Sequence, residues 1–116
     1  MSQNNNIEEI IEELQTIEKK LQNVLAEKQT LEAEANEVKN ALTELSKTKE
    51  EVYKILGGIM VRADKNQLIK ELEEKEKILS LKIKALEKQE DIITKKSDEM
   101  REKIQQSLSA NKNNLK

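Results

Sequence analysis

Cysteine, histidine, proline, phenylalanine and tryptophan are all missing from this chain of 116 residues, glycine occurs only at 57 and 58, and Tyr53 is the sole aromatic residue. Without cysteine there are no disulfides and no thiolate chemistry, which agrees with a reducing compartment. With neither His nor Cys, and with aspartates too few and scattered for a calcium loop, no metal site is expected. The glycine pair lacks the Gly-x-x-x-x-Gly-Lys-Ser/Thr spacing that cradles nucleotide phosphates, so neither ATP-dependent work nor any cofactor is expected. Charge of one sign is also missing. The 21 basic and 23 acidic residues are mixed along the chain to a net −2, leaving no basic face for nucleic acid. No run of about 18 apolar residues exists, and the start is Asn-rich and acidic, unlike a signal peptide or a basic targeting helix. The expected location is therefore cytoplasmic, with no membrane contact.

What is present is charge and helix-forming residues. Charged residues make up 38% of the chain, against about 25% in an ordinary domain. Ala, Glu, Lys, Leu and Arg together exceed half of all positions. The apolar set of Leu, Ile, Val, Ala and Met suits a narrow helical seam better than a wide core, so an elongated single domain over 1–116 is expected.

A heptad runs through Ile7, Ile10, Leu14, Ile17, Leu21, Val24, Lys28, Leu31, Ala35, Val38, Leu42 and Leu45. Lys28 alone is polar there, and a 3.5-residue period kept this long specifies a left-handed coiled coil. This predicts helix 1 over about 7–49. Asn6 is its N-cap with Glu9 completing a capping box, and Glu8, Glu12 and Glu13 complement the helix dipole. The period breaks around Gly57-Gly58, flanked by Val52-Tyr53-Lys54-Ile55-Leu56 and Ile59-Met60-Val61-Arg62-Ala63. Two glycines tolerate the positive φ of a type I′ or II′ turn, so a β-hairpin is predicted over about 51–63, with Leu56 facing Ile59 and Ile55 facing Met60. Asp64, with Gln67 three residues on, opens helix 2, predicted over about 65–108. Its seam runs through positions 69, 72, 76, 79, 83, 86, 90, 93, 97, 100, 104 and 107. Leu72, Leu79, Leu86, Ile93 and Met100 anchor it, while Glu76, Glu90, Ser97 and Ser107 weaken it. Four pairs on this helix, Glu71 with Lys75, Glu73 with Lys77, Asp91 with Lys95 and Glu99 with Lys103, have favourable i,i+4 spacing. Both termini, 1–5 and from about 109, are expected to be disordered.

The fold class that follows is mainly α, an antiparallel two-helix coiled coil with one short β-hairpin between the helices. Each helix of some 40 residues spans roughly 60 Å. Folding helix 2 back along helix 1 aligns Leu42 with Leu72, Ala35 with Leu79, Leu21 with Ile93 and Leu14 with Met100. Lys95, Lys96, Arg101 and Lys103 then approach the acidic start of helix 1. A lone hairpin has two unpaired edges and is marginal in water, so hairpins of several subunits are expected to pair into a sheet or a β-barrel hub.

Catalysis is not expected. Glu8, Glu9, Glu12 and Glu13 could supply acid and base only in a cleft that perturbs their pKa, and a two-helix coil has none. Lys28 admits two readings: an ion pair with Glu90 that fixes register, or a stem that packs while its ammonium reaches water, which the sequence favours. Ile78, Leu81, Ala85 and Ile92 form a stripe off the seam, read as a neighbour contact or, more simply, as scattered surface apolar residues.

At the hairpin, Glu51-Val52-Tyr53-Lys54-Ile55-Leu56-Gly57 followed by Met60-Val61 resembles the Val-Tyr-Lys-x-x-Gly signature of beta-type prefoldin subunits, particularly archaeal ones. Ala85-Leu86-Glu87-Lys88-Gln89-Glu90 and Lys103-Ile104-Gln105-Gln106-Ser107-Leu108 are similar to the distal helix of that family, so the resemblance covers roughly 7–108. It implies an ATP-independent chaperone, a hexamer of two alpha-type and four beta-type subunits that join hairpins into β-barrels. Coiled-coil tips would hold unfolded client proteins and pass them to a group II chaperonin. A single hairpin matches the beta type. Carried onto this chain, Val52, Tyr53, Ile55, Leu56, Ile59, Met60 and Val61 would form the oligomer interface around the turn Gly57-Gly58. Ile7, Ile10, Ile11, Leu14, Ile17, Met100, Ile104 and Leu108 would form the client surface. The alternative on the same fold is a structural coiled-coil scaffold without client binding.

Overall fold

The computed structural model describes residues 3–114, with side chains described from 6 to 110. Four elements follow along the chain: α1 (Gln3–Lys47), β1 (Val52–Leu56), β2 (Ile59–Ala63) and α2 (Lys65–Asn114). Two long helices thus flank one short antiparallel hairpin, the fold class expected from the heptads and the glycine pair.

The helices are longer than the heptads suggest. α1 begins at Gln3, so Asn6 lies inside the helix and does not cap it, and its first turn carries no acidic residue. Nothing in the Asn run breaks a helix, and once a helix is nucleated each added residue brings its own hydrogen bond. For the same reason α2 continues past 108 to Asn114. Residues 3–5 and 109–114, expected to be disordered, are helical. The expectation for residues 1, 2, 115 and 116 falls outside the described residues.

Between the helices the chain turns with local bonds that the sequence foretells in part. The Thr48 N–H still donates to the Glu44 carbonyl at 3.0 Å, and the Thr48 hydroxyl then accepts the Glu50 N–H at 3.3 Å, ending α1. Asp64 caps α2: its Oδ1 accepts the Asn66 N–H at 3.3 Å, and its carbonyl accepts the first helical bond, from Leu68, at 2.9 Å. Lys65 donates from Nζ to the Thr48 carbonyl at 2.7 Å, which places a cation on the negative end of α1.

In the hairpin Leu56 faces Ile59, Ile55 faces Met60, Lys54 faces Val61, Tyr53 faces Arg62 and Val52 faces Ala63. Gly57 and Gly58 have φ of 54° and 81°. Two successive positive φ angles are the signature of a type I′ turn, whose twist matches that of the strands.

Packing divides the expected single domain into two compact units, one of residues 1–28 with 86–116 and one of residues 29–85. A two-helix seam makes local contacts along its length, and no core is shared by every residue. In the first unit Ile7, Ile17, Val24, Leu86, Ser97 and Met100 are buried, with Ile10, Leu14, Leu21, Lys28, Glu90, Ile93, Ile104 and Ser107 half-buried. In the second, Val38, Leu45 and Leu79 are buried, and Leu31, Ala35, Leu42, Ile69, Leu72, Glu76 and Ile83 are half-buried. Every position of both heptads is therefore at least partly covered. No described side chain is sealed completely, so each seam residue realises only part of the roughly 1.5–3 kcal/mol that full burial of a Leu or Ile supplies.

Open space surrounds the Cβ position of Gly58, so the cost of a side chain there is one of backbone alone. Gly58→Val is expected to destabilise the chain by about 1–2 kcal/mol in urea unfolding, and Gly58→Asn, which tolerates positive φ, by clearly less. Asp64→Ala removes the cap of α2 and is expected to cost about 1 kcal/mol, read as a lower midpoint in thermal melting followed at 222 nm.

Candidate functional site

The hairpin is where the second unit leaves its apolar residues uncovered. Val52, Lys54 and Ala63 on one face are half-buried at the base. Beyond them the ribbon is bare: Ile55 is 72% exposed and Met60 67%, and Tyr53, Leu56, Ile59 and Val61 are also exposed. The sheet has two strands and no third, so among the described residues the outer edge of each strand pairs with nothing. Apolar residues exposed on both faces of a ribbon with open strand edges are the geometry of a surface that another strand covers.

Charges hold this ribbon in shape. The Tyr53 hydroxyl donates to Glu51 Oε2 at 3.0 Å, and Arg62 forms an ion pair with Glu51 Oε1, so one carboxylate joins the strands at their base. The register that sets Tyr53 opposite Arg62 brings both side chains within reach of Glu51. Lys54 Nζ lies 3.9 Å from Glu71 Oε2 on α2. Glu71 is thus turned toward the hairpin, and Lys75 pairs with Glu34 on α1 at 3.1 Å. These two residues bond to other elements, which corrects the i,i+4 pairing expected of them.

In the first unit burial separates the eight residues of the expected client surface. Ile7, Ile17 and Met100 are buried in the seam and offer little apolar surface. Ile10, Leu14 and Ile104 are half-buried. Ile11, just off the heptad, is 37% exposed and Leu108 55%. Leu25, next to the seam residue Val24 and off the heptad, is exposed as well.

Acidic residues of α1 meet basic residues of α2 here. Glu9, Glu12, Glu13, Thr16, Ile17 and Lys96 line a groove of about 490 Å³, and Arg101 Nη2 donates to Glu18 Oε1 at 2.6 Å. Inside the seam Lys28 Nζ donates to Glu90 Oε2 at 2.9 Å, with the two side chains 23% and 28% exposed. The ammonium is therefore bonded across the helices, and the sequence-based preference for a lysine merely reaching water is corrected. Away from the seam Ile78, Leu81, Ala85 and Ile92 are exposed on α2.

Among the described residues no group of three or more His, Cys, Asp or Glu side chains is placed to hold a metal ion, and no helix is long and apolar enough to cross a membrane. What the chain presents is thus an uncovered hairpin on one unit and partly covered apolar residues between charged helices on the other.

The chain is similar in sequence and fold to known proteins. The chain is 31% identical over 105 residues to the prefoldin subunit beta of Pyrobaculum islandicum, covering 89% of this chain and 84% of that protein. It is 35% identical over 104 residues to the prefoldin subunit beta of Thermococcus onnurineus, covering 88% and 90%. Its structure is similar to the crystal structure of the prefoldin beta subunit from Thermococcus strain KS-1, with a TM-score of 0.82 at 31% identity over 89% of this chain and 92% of that one. The model of the prefoldin subunit family matches residues 8–111, which span both helices and the uncovered hairpin, and the chain belongs to that family.

Proposed function

We propose that this chain is a beta-type subunit of a cytoplasmic, ATP-independent holdase. Its hairpin pairs edge to edge with hairpins of alpha-type and further beta-type subunits into a β-barrel hub, in a hexamer of two alpha and four beta. Its helices carry apolar residues that bind non-native proteins and release them to a group II chaperonin. The observation that carries the reading is the hairpin: its exposed Ile55, Leu56, Ile59 and Met60 and its unpaired strand edges are costly in an isolated chain and useful in an assembled one.

The client surface follows from partial cover. Ile11 and Leu108 are exposed, and Ile10, Leu14 and Ile104 are half-buried, so a small opening of the two helices would add Ile7, Ile17 and Met100 to one apolar strip. Such opening is least costly where few apolar contacts oppose it, and Ser97 and Ser107 interrupt the α2 seam in this unit. Holding a non-native chain by apolar contact needs no nucleotide and no reaction.

Ile55→Asp combined with Met60→Asp places like charges directly opposite each other in the hairpin. It is expected to abolish mass-detected assembly with an alpha-type subunit while leaving the helical circular dichroism within about a tenth of the parent value. Assembly that survived this change would remove the hairpin from the interface. Removing residues 1–20 together with 99–116 is expected to abolish suppression of aggregation of a denatured test protein at stoichiometric amounts, without nucleotide, and to leave assembly intact. Unchanged suppression would instead favour a scaffold that binds no clients.

A further inference from the structure

Lys28 and Glu90 are unusual among the ion pairs of this chain because both belong to the heptads. The pairs of Glu34 with Lys75 and Glu18 with Arg101 lie beside the seam, and that of Lys54 with Glu71 joins the hairpin to α2. Lys28 and Glu90 instead replace an apolar contact with one between half-covered charges 2.9 Å apart, in the unit where Val24 and Leu86 are buried.

Such a pair is a poor stabiliser. Taking two charges partly out of water offsets much of their attraction, and a well-packed apolar pair of similar size often does better. Its effect lies in the pairings it disfavours. The α1 heptad is otherwise wholly apolar, and such a helix is well suited to pair with a second copy of itself. In a parallel, in-register pair of α1 helices Lys28 would meet Lys28, and in the corresponding pair of α2 helices Glu90 would meet Glu90. A slip of one heptad between α1 and α2 would carry Lys28 to Ile83 or Ser97, and Glu90 to Leu21 or Ala35. None of these carries a compensating charge. Each alternative leaves a charge unpaired or opposed within a seam, the situation in which a single polar position fixes partner and register in coiled coils.

We propose that Lys28 and Glu90 are a pairing selector, two positioning residues that commit α1 to α2 of the same chain in one register. This goes beyond the chaperone reading and does not depend on it. The need is plain for a chain with an exposed hairpin, because any assembly through that hairpin brings the apolar seams of several copies to high local concentration.

The test uses the full chain carrying Glu18→Cys and Arg101→Cys, at positions whose side chains meet across the two helices, bridged by a short bis-maleimide. The parent is expected to give same-chain bridges. In the Lys28→Leu/Glu90→Leu variant the thermal midpoint is expected to stay level or rise, while chain-to-chain bridges appear and native mass spectra broaden. Lys28→Glu alone is expected to lower the midpoint and loosen the pairing, and Lys28→Glu with Glu90→Lys to restore both. Two results would each overturn the proposal: a double-leucine variant that bridges only within the chain, or one that melts below the parent and so makes the pair an ordinary stabiliser. Failure of the double reversal to restore pairing would do the same.

Discussion

The whole structure depends on a limit of geometry: two helices lying side by side can bury only the stripe that each turns toward the other. Every feature described above follows from how this chain places its apolar residues relative to that stripe. The heptads fill it with Leu, Ile and Val, and the burial of Val24, Val38, Leu79 and Leu86 shows them there. Whatever apolar surface lies elsewhere, at the hairpin, at Ile11 and at Leu108, has no partner within the described residues. The chain therefore has two kinds of hydrophobic residue, one that closes the coil and one that stays open to solvent.

The hairpin shows how firmly local chemistry sets this division. Successive positive φ at Gly57 and Gly58 fix a turn that allows one register, and that register decides which side chains share a face. Glu51 then joins Tyr53 and Arg62 at the base, while Lys65 ties the start of α2 to the end of α1. With the base bound in this way, the exposed residues are held on an ordered ribbon. An ordered apolar edge can be recognised by a matching one at a smaller entropic cost than a disordered segment would incur.

Much of this was legible in the amino acids alone. Both seams could be followed position by position, because a period sustained over many heptads averages out single exceptions such as Lys28 and Glu76. The hairpin register was legible because two glycines between β-branched flanks leave little choice. The helix ends were not. Asn6 has the chemistry of a cap, yet α1 continues to Gln3 because capping preference is worth about 1 kcal/mol and nothing in the preceding asparagines opposes helix. Nor could the sequence decide which of two acceptable partners a charge takes, as Glu71 and Lys75 show. The same difficulty hid the Lys28–Glu90 bond, since the two residues are 62 positions apart and a lysine in a seam has an easy escape to water. The division of the client candidates was also hidden, because Ile7 and Ile10 both lie on the heptad, and membership of the seam does not say how closely the opposite helix covers each.

The absence of any fully buried side chain among the described residues has a thermal consequence. The heat-capacity change of unfolding grows with the apolar surface newly exposed to water, and a chain that already shows much of that surface when folded has less left to expose. Its stability curve is accordingly flat, changing slowly between cold and heat where a thick-cored domain of the same length would show a pronounced maximum. A narrow seam thus holds only modestly at its best temperature, and loses little of that hold over a wide range on either side.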